Sequence, residues 1–160
     1  MKRTTAVLMI LTLAISLFTG CSKNAQAGTE EVIKIGIFEP FTGKNASGGK
    51  QEALGIAYAN TLQPTVTIGG TAYRVELVLA DNESSVEKAP TAATTLVEHG
   101  VSVVLGPHGS DVAMAASGVF EAAGIPVVGV SCTNPAVTAG NRHFFRVCWH
   151  LRFCFACFPK

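Results

Sequence analysis

The chain has little charge, few aromatic side chains and no apolar run long enough to cross a bilayer. Of its 160 residues, 14% are charged and 8% are aromatic. An apolar-rich chain with so few charges buries enough surface to offset its conformational entropy, which excludes an intrinsically disordered protein. The formal net charge of +1 gives no electrostatic basis for binding nucleic acid. The apolar stretch Ala6–Phe18 has 13 residues, whereas a membrane-spanning helix needs about 20.

The first residues have the pattern of an export signal. A Lys-Arg pair at positions 2 and 3 precedes the short apolar stretch, as in secretory signal peptides. The next residues, Leu17-Phe18-Thr19-Gly20-Cys21, resemble the lipobox of bacterial lipoproteins, where the chain is cut before the cysteine. We therefore expect residues 1–20 to be a signal peptide and Cys21 to carry lipid. Residues 21–31 would tether the protein to the outer face of the bacterial cytoplasmic membrane.

The body of the chain alternates strand and helix patterns. Short β-branched runs predict strands at 32–38, 73–80, 101–105, 125–130 and 144–147. Apolar residues at helical spacing predict three helices between the first four of these strands. The first helix has a face formed by Leu54, Ala57, Tyr58, Thr61 and Leu62. This order predicts an α/β fold, a doubly wound parallel sheet with helices on both faces, because parallel strands require crossovers.

In such a sheet the ligand crevice lies at the carboxyl ends of the strands, where the strand order reverses. The loops 40–49 and 106–111 are predicted to flank it. Ser110 begins a predicted helix at this edge, where unpaired N–H groups and the helix dipole favour an anion. Thr133 follows the fourth predicted strand. From these residues alone, the ordinary interpretation is a helix cap for Ser110 and a turn for Thr133.

An ordered set of short motifs resembles the first lobe of the branched-chain amino acid binding proteins of ABC importers. These are type I periplasmic-binding proteins, and the resemblance covers residues 32–148. The motifs, in chain order, are Ile35-Gly36-Ile37, Pro40-Phe41-Thr42-Gly43, Asp81-Asn82, Val104-Leu105-Gly106-Pro107, Gly109-Ser110, Gly124-Ile125-Pro126-Val127, Thr133-Asn134-Pro135 and Phe145-Arg146.

The resemblance implies a solute-binding protein and not an enzyme, with no cofactor and no resident metal. Family members have two α/β lobes, close on a small ligand and pass it to a membrane permease. The resemblance implies that Ser110 and Thr133 hold the carboxylate of an amino acid, with Gly109, Ser131 and Cys132 at the same two turns. Gly48 stands where amino-acid binders often place an aromatic residue over the ligand side chain. The pocket wall is expected to be thinner there, which leaves the branched-chain specificity open.

Other motifs are incomplete. The segment 43–51 resembles a phosphate-binding loop, but five residues separate Gly43 from Gly49-Lys50, and Gln51 replaces the required Ser or Thr. No catalytic triad or carboxylate pair is evident. The histidines show no metal-ligand spacing, and we interpret His108 as a loop residue in solvent rather than a ligand contact. The cysteines and histidine of segment 148–157 lack the partner motif of a zinc or redox site.

The last residues differ in composition from the rest. Residues 149–160 hold three of the nine phenylalanines and the only tryptophan, but no acid. We interpret this tail as the product of a frameshift near Cys148. The expected organisation is a signal peptide at 1–20, a tether at 21–31, a first lobe at 32–148 and an aberrant tail at 149–160. The expected function is a truncated, weakened solute-binding protein. The alternative is a standalone surface lipoprotein that acts in sensing or assembly.

Overall fold

A computed structural model describes residues 31–147. The predicted signal peptide, the lipidation residue Cys21, the tether before residue 31 and the tail from residue 148 lie outside the described residues. The elements are β1 (Glu31–Glu39), α1 (Ala46–Leu62), β2 (Thr65–Ile68), β3 (Thr71–Asp81), α2 (Ala89–Glu98), β4 (Val103–Leu105), α3 (Ser110–Ala123), β5 (Val127–Gly129), a 3₁₀ turn (Pro135–Val137) and β6 (Phe144–Arg146).

The strands form one six-stranded sheet in the order β2-β3-β1-β4-β5-β6. β1 pairs in parallel with both β3 and β4, and β4-β5 and β5-β6 are also parallel. From β1 the chain moves outward to β3 on one side and then returns to β4 on the other. The order therefore reverses between β1 and β4. The α/β fold is confirmed, and the reversal lies where loops 40–49 and 106–111 leave the sheet.

The edge strand β2 is a difference from the sequence prediction. No strand was predicted between residues 38 and 73, but Thr65–Ile68 pairs antiparallel with β3. Gly69 and Gly70 join the two strands with φ angles of +58° and +89°. Two successive positive φ angles suit a tight hairpin, and glycine adopts them without steric cost. The sheet is therefore mixed at this edge, whereas the five strands predicted from the sequence are parallel to one another.

Helix α1 presents a different face to the sheet from the one that its apolar pattern predicts. Leu54, Tyr58 and Leu62 are 71%, 65% and 67% exposed. Gly49 is buried instead, and a Cβ atom placed on it would lie 2.4 Å from the carbonyl oxygen of Pro40. This close approach sets the rotation of the helix. Nothing lies within 4 Å of a Cβ placed on Gly55, so Gly49, and not Gly55, makes the close approach of α1 to the loop after β1.

The opposite face of the sheet carries α2 and α3 and holds the main core. Phe38 of β1 meets Phe120 of α3 edge to face, with ring centroids 5.5 Å apart. The apolar stripe predicted for α3 is buried, and the helix ends at Gly124 with φ of +67°. Proline 90 lies in the first turn of α2, as its chemistry requires. Within residues 31–147, no helix is both long and apolar enough to cross a membrane.

Candidate functional site

The loops that follow β1 and β4 meet at the point where the strand order reverses. A Cβ atom placed on Gly48 would lie 2.6 Å from Cε1 of His108, and one placed on Gly109 would lie 3.9 Å from Nδ2 of Asn45. A small cleft between the loops is lined in part by Lys44, Asn45 and Ser110. The two loops therefore border one crevice, as the sheet topology predicts.

Ser110 is the first residue of α3, and it contacts the turn after β5. Gly109 precedes the helix with φ of +117° and provides no side-chain cap. The Ser110 hydroxyl oxygen accepts a 3.2 Å hydrogen bond from the backbone N–H of Asn134. Ser110 is therefore not an N-cap residue, because its side chain bonds a different loop. This bond leaves the hydroxyl hydrogen of Ser110 available to a further acceptor.

Buried bonds hold the turn at 131–134 in place. The Cys132 side chain is fully buried, and its Sγ donates to the carbonyl oxygens of Pro107 at 3.0 Å and Gly109 at 3.7 Å. Nη1 of Arg146 donates a 3.1 Å bond to the Cys132 carbonyl oxygen. Cys132 therefore holds the turn at 131–134 against the loop after β4. The half-buried Thr133 lies between Cys132 and Asn134, so its backbone follows the same turn.

A group of acids and a histidine closes the base of the crevice. The backbone N–H of His108 donates a 2.7 Å hydrogen bond to Oε2 of Glu39. Nδ1 of His108 lies 2.5 Å from Oε1 of Glu52 and 3.2 Å from the hydroxyl oxygen of Ser131. His108 was interpreted as a loop histidine in solvent, but its ring is held by two side chains. One carboxyl oxygen of Glu39 and one of Glu52 are also buried, and the two carboxyl groups interact with each other.

Glu39 is the most perturbed acid in the described part of the chain. Burial is the main cause that raises its pKa to about 9, and the nearby Glu52 carboxylate adds to it. The hydrogen bond from the His108 backbone acts in the opposite direction. Glu39 is therefore uncharged at neutral pH, while its carboxyl group still accepts the backbone bond. This arrangement avoids two like charges at the base of the crevice.

Asp81 braces the loop after β1. Its Oδ1 accepts hydrogen bonds from the backbone N–H groups of Phe41 at 2.9 Å and Glu83 at 2.8 Å, and its Oδ2 accepts from the Thr42 hydroxyl at 2.7 Å. Burial opposes ionisation of Asp81, but the bonds from Thr42 and the backbone outweigh it and lower its pKa. Helix α2 begins only at Ala89, without a side-chain cap, so segment 81–84 shapes the crevice loop rather than the helix start.

The residues predicted for ligand binding lie around one crevice. Within residues 31–147, no group of three or more His, Cys, Asp or Glu side chains is arranged to hold a metal ion. The contacts described above join five of the residues predicted to bind ligand: Gly48, Gly109, Ser110, Ser131 and Cys132. Thr133 lies in the same turn as Ser131 and Cys132. Their role in binding stays a prediction.

Comparison with known proteins agrees with this architecture. The family model described as periplasmic binding protein matches residues 32–152. The chain belongs to the periplasmic binding protein family. An amino acid binding protein of Pseudomonas aeruginosa is 34% identical over 142 residues, which cover 87% of this chain and 36% of that protein.

Solved structures of this family share the fold. A leucine binding protein from Thermotoga maritima matches with a TM-score of 0.72 and 31% identity over 79% of this chain and 35% of that one. A solute binding protein of an ABC transporter from Rhodopseudomonas palustris, in complex with 3,4-dihydroxybenzoic acid, matches with a TM-score of 0.67 and 26% identity. That match covers 76% of this chain and 33% of the other. The chain therefore spans about a third of the length of these relatives.

Sequence reasoning missed Glu39 and Glu52 as parts of the site. Glu39 ends an apolar strand at the carboxyl edge of the sheet, where an acid faces the crevice rather than solvent. Glu52 lies four residues after Gly48 and so shares its helix face. Both signals were present in the sequence. They became interpretable once α1 was known to begin at Ala46 rather than after residue 49.

Proposed function

We propose that the chain carries the ligand-binding face of an extracytoplasmic solute-binding protein of an ABC importer. Its ligand would be an amino acid of the branched-chain type or a similar small carboxylate. The observation that carries the proposal is the bond between the Asn134 N–H and the Ser110 hydroxyl. It holds the start of α3, which follows β4, beside the turn after β5, next to the point where the sheet order reverses.

A carboxylate suits this position for two physical reasons. The first N–H groups of α3 have no acceptor within the helix, and the helix dipole favours negative charge there. The Ser110 hydroxyl already accepts a bond from Asn134, so it is set to donate its hydrogen to a carboxylate oxygen. Thr133 supplies a second hydroxyl from the facing turn. Gly109, Ser131 and Cys132 shape the two turns, and Gly48 gives the ligand room.

The names of the relatives favour small organic acids as ligands. The Thermotoga protein is a leucine binding protein, and the Rhodopseudomonas protein holds a benzoic acid. Leucine and 3,4-dihydroxybenzoic acid share a carboxyl group and differ in the rest of the molecule. The proposed recognition of the carboxylate by Ser110 and Thr133 is consistent with both. The relatives are described as binding proteins, which favours a role without catalysis.

Titration calorimetry on the 160-residue chain with a panel of amino acids tests the proposal. We expect weak binding, because the described lobe provides one wall of a crevice. Ser110→Ala and Thr133→Val should each weaken binding about tenfold, since each removes a hydrogen bond to a charged group. Ser117→Ala, on the same helix as Ser110, is the matched control and should bind like the parent. Unchanged affinity in both crevice variants would contradict the proposal.

We further propose that Cys21 is lipid-modified and anchors the protein outside the bacterial cytoplasmic membrane, next to a permease. The support is the basic, apolar and cysteine pattern of the first 21 residues. Metabolic labelling with a palmitate analogue in a bacterial host tests this proposal. Label should appear on the parent chain and be absent from Cys21→Ser, while Cys132→Ser should keep it.

A second candidate function, a surface lipoprotein acting in assembly, has one observation in its favour. The exposed stripe of Leu54, Tyr58 and Leu62 lies on one face of α1. Exposed apolar patches often mark sites of association. A stable dimer that survives dilution, together with no amino-acid binding, would favour this candidate over solute binding.

A further inference from the structure

His108 lies at the centre of the crevice base and touches residues from three other segments. Its ring contacts Glu52 of α1 and Ser131 after β5, while its backbone bonds Glu39 at the end of β1. The side chain of His108 is 35% exposed and that of Glu52 is 20% exposed. The ring is therefore fixed by its neighbours but remains open to the crevice.

The glycine at position 48 makes room for this ring. A Cβ atom on residue 48 would lie 2.6 Å from Cε1 and 2.7 Å from Nε2 of His108, which is closer than real Cβ contacts occur. The imidazole therefore occupies the space that a side chain at residue 48 would need. The wall that appeared thin from the sequence is instead provided by His108, from the facing loop.

The bonds to the ring decide which nitrogen faces a ligand. A carboxylate can only accept, so the 2.5 Å contact with Glu52 assigns a hydrogen to Nδ1 of His108. Ser131 reaches the same nitrogen at 3.2 Å. Nε2 lies on the other side of Cε1, makes no hydrogen bond within residues 31–147, and lies 2.7 Å from a Cβ placed on Gly48. It is therefore the nitrogen that remains for a molecule in the crevice.

We propose that Nε2 of His108 contacts the bound ligand and selects amino acids with a side-chain hydroxyl over aliphatic ones of the same shape. This inference rests on the proposed binding of amino acids. A hydroxyl bonds Nε2 as donor or acceptor, whichever the protonation state of the ring requires. An aliphatic side chain of equal size covers Nε2 and leaves it without a partner, which costs affinity.

Threonine and valine form the test pair, because they differ only by a hydroxyl in place of a methyl group. Both are titrated into the 160-residue chain by calorimetry. We expect threonine to bind about fivefold more tightly, the effect of one neutral hydrogen bond. The ratio of the threonine affinity to the valine affinity should fall to about one in His108→Leu. It should also fall to about one in Gly48→Ala, because the added Cβ displaces the His108 ring. His99→Leu makes the same change on an exposed histidine at the end of α2 and should keep the parent ratio.

A second readout needs no variant. In nitrogen NMR spectra of the parent chain, threonine should shift the Nε2 resonance of His108 more than valine does at equal occupancy. Equal affinities for the two amino acids, or a ratio unchanged in His108→Leu, would overturn the role of His108 while the proposed function stands. If no amino acid in the panel binds to the parent chain, the proposed function fails and this inference fails with it.

Discussion

The backbone N–H of His108 donates a 2.7 Å hydrogen bond to the fully buried carboxyl group of Glu39. This bond joins the end of β1 to the loop after β4, on the two sides of the point where the sheet order reverses. The crevice therefore depends on an acid that the folded protein keeps uncharged at neutral pH.

Glu39 should make the protein less stable as the pH rises. Its pKa is about 9 in the folded state and 4.5 for a free glutamate side chain, so the folded state holds a proton that the unfolded state loses. The stabilisation is complete below about pH 4.5 and is lost progressively toward pH 9, with a slope of up to about 1.4 kcal/mol per pH unit.

Urea unfolding at several pH values measures this slope. Glu39→Gln keeps the neutral acceptor but cannot ionise, so its stability should depend less on pH between 5 and 9. Glu76→Gln changes an exposed carboxylate on β3 and is the matched control. Parallel pH curves for Glu39→Gln and the parent chain would show that Glu39 does not titrate as proposed.

Gly49 should be far less tolerant of alanine than Gly55 on the same helix. A Cβ on Gly49 would meet the Pro40 carbonyl at 2.4 Å, whereas one on Gly55 meets nothing within 4 Å. Gly49→Ala should cost about 1–3 kcal/mol through overpacking. Gly55→Ala should stabilise the helix by about 0.5–1 kcal/mol. Thermal melts of both variants test this prediction. Similar melting temperatures for the two variants would mean that α1 is not packed closely against Pro40.

Asp81 should stabilise the loop after β1 in an acid-sensitive way. Its pKa is lowered from 3.8, so its contribution is present above about pH 4 and is lost as the pH falls through the lower folded value. Asp81→Asn should cost about 1 kcal/mol at pH 7, because an amide has one accepting oxygen and cannot accept all four hydrogen bonds that the carboxylate accepts. Hydrogen exchange of the Phe41 amide measures the local effect, which should be a faster rate. An unchanged exchange rate would show that Asp81 does not stabilise the loop.

The exposed stripe on α1 should promote self-association. Replacing Leu54, Tyr58 and Leu62 together by lysine removes the apolar surface and should shift the chain toward monomer in sedimentation velocity. Gln51→Lys adds one charge at an exposed position of the same helix and controls for charge alone. If the triple variant and the parent chain sediment identically, this stripe plays no part in association.

Local patterns were enough to predict most elements. Helix α3 follows from its apolar spacing and from Gly124, and both act within a few residues of chain. The parallel pairing of the strands follows from the alternation of strands and helices, because parallel strands require crossovers. The hairpin at Gly69-Gly70 is also encoded locally, by two successive glycines that adopt positive φ angles.

The amino-acid sequence by itself determined the α/β class, the order of most elements and the two loops that border the crevice, because these depend on periodicity and on glycine and proline chemistry. Only the tertiary structure decided which face of α1 packs, because that depends on the approach of Gly49 to Pro40, nine residues earlier in the chain. It also decided that His108, Glu39 and Glu52 share one site. They lie up to 69 residues apart in the chain. No local sequence pattern indicates how deeply a charged side chain is buried, or which ring nitrogen of a histidine a carboxylate will bond.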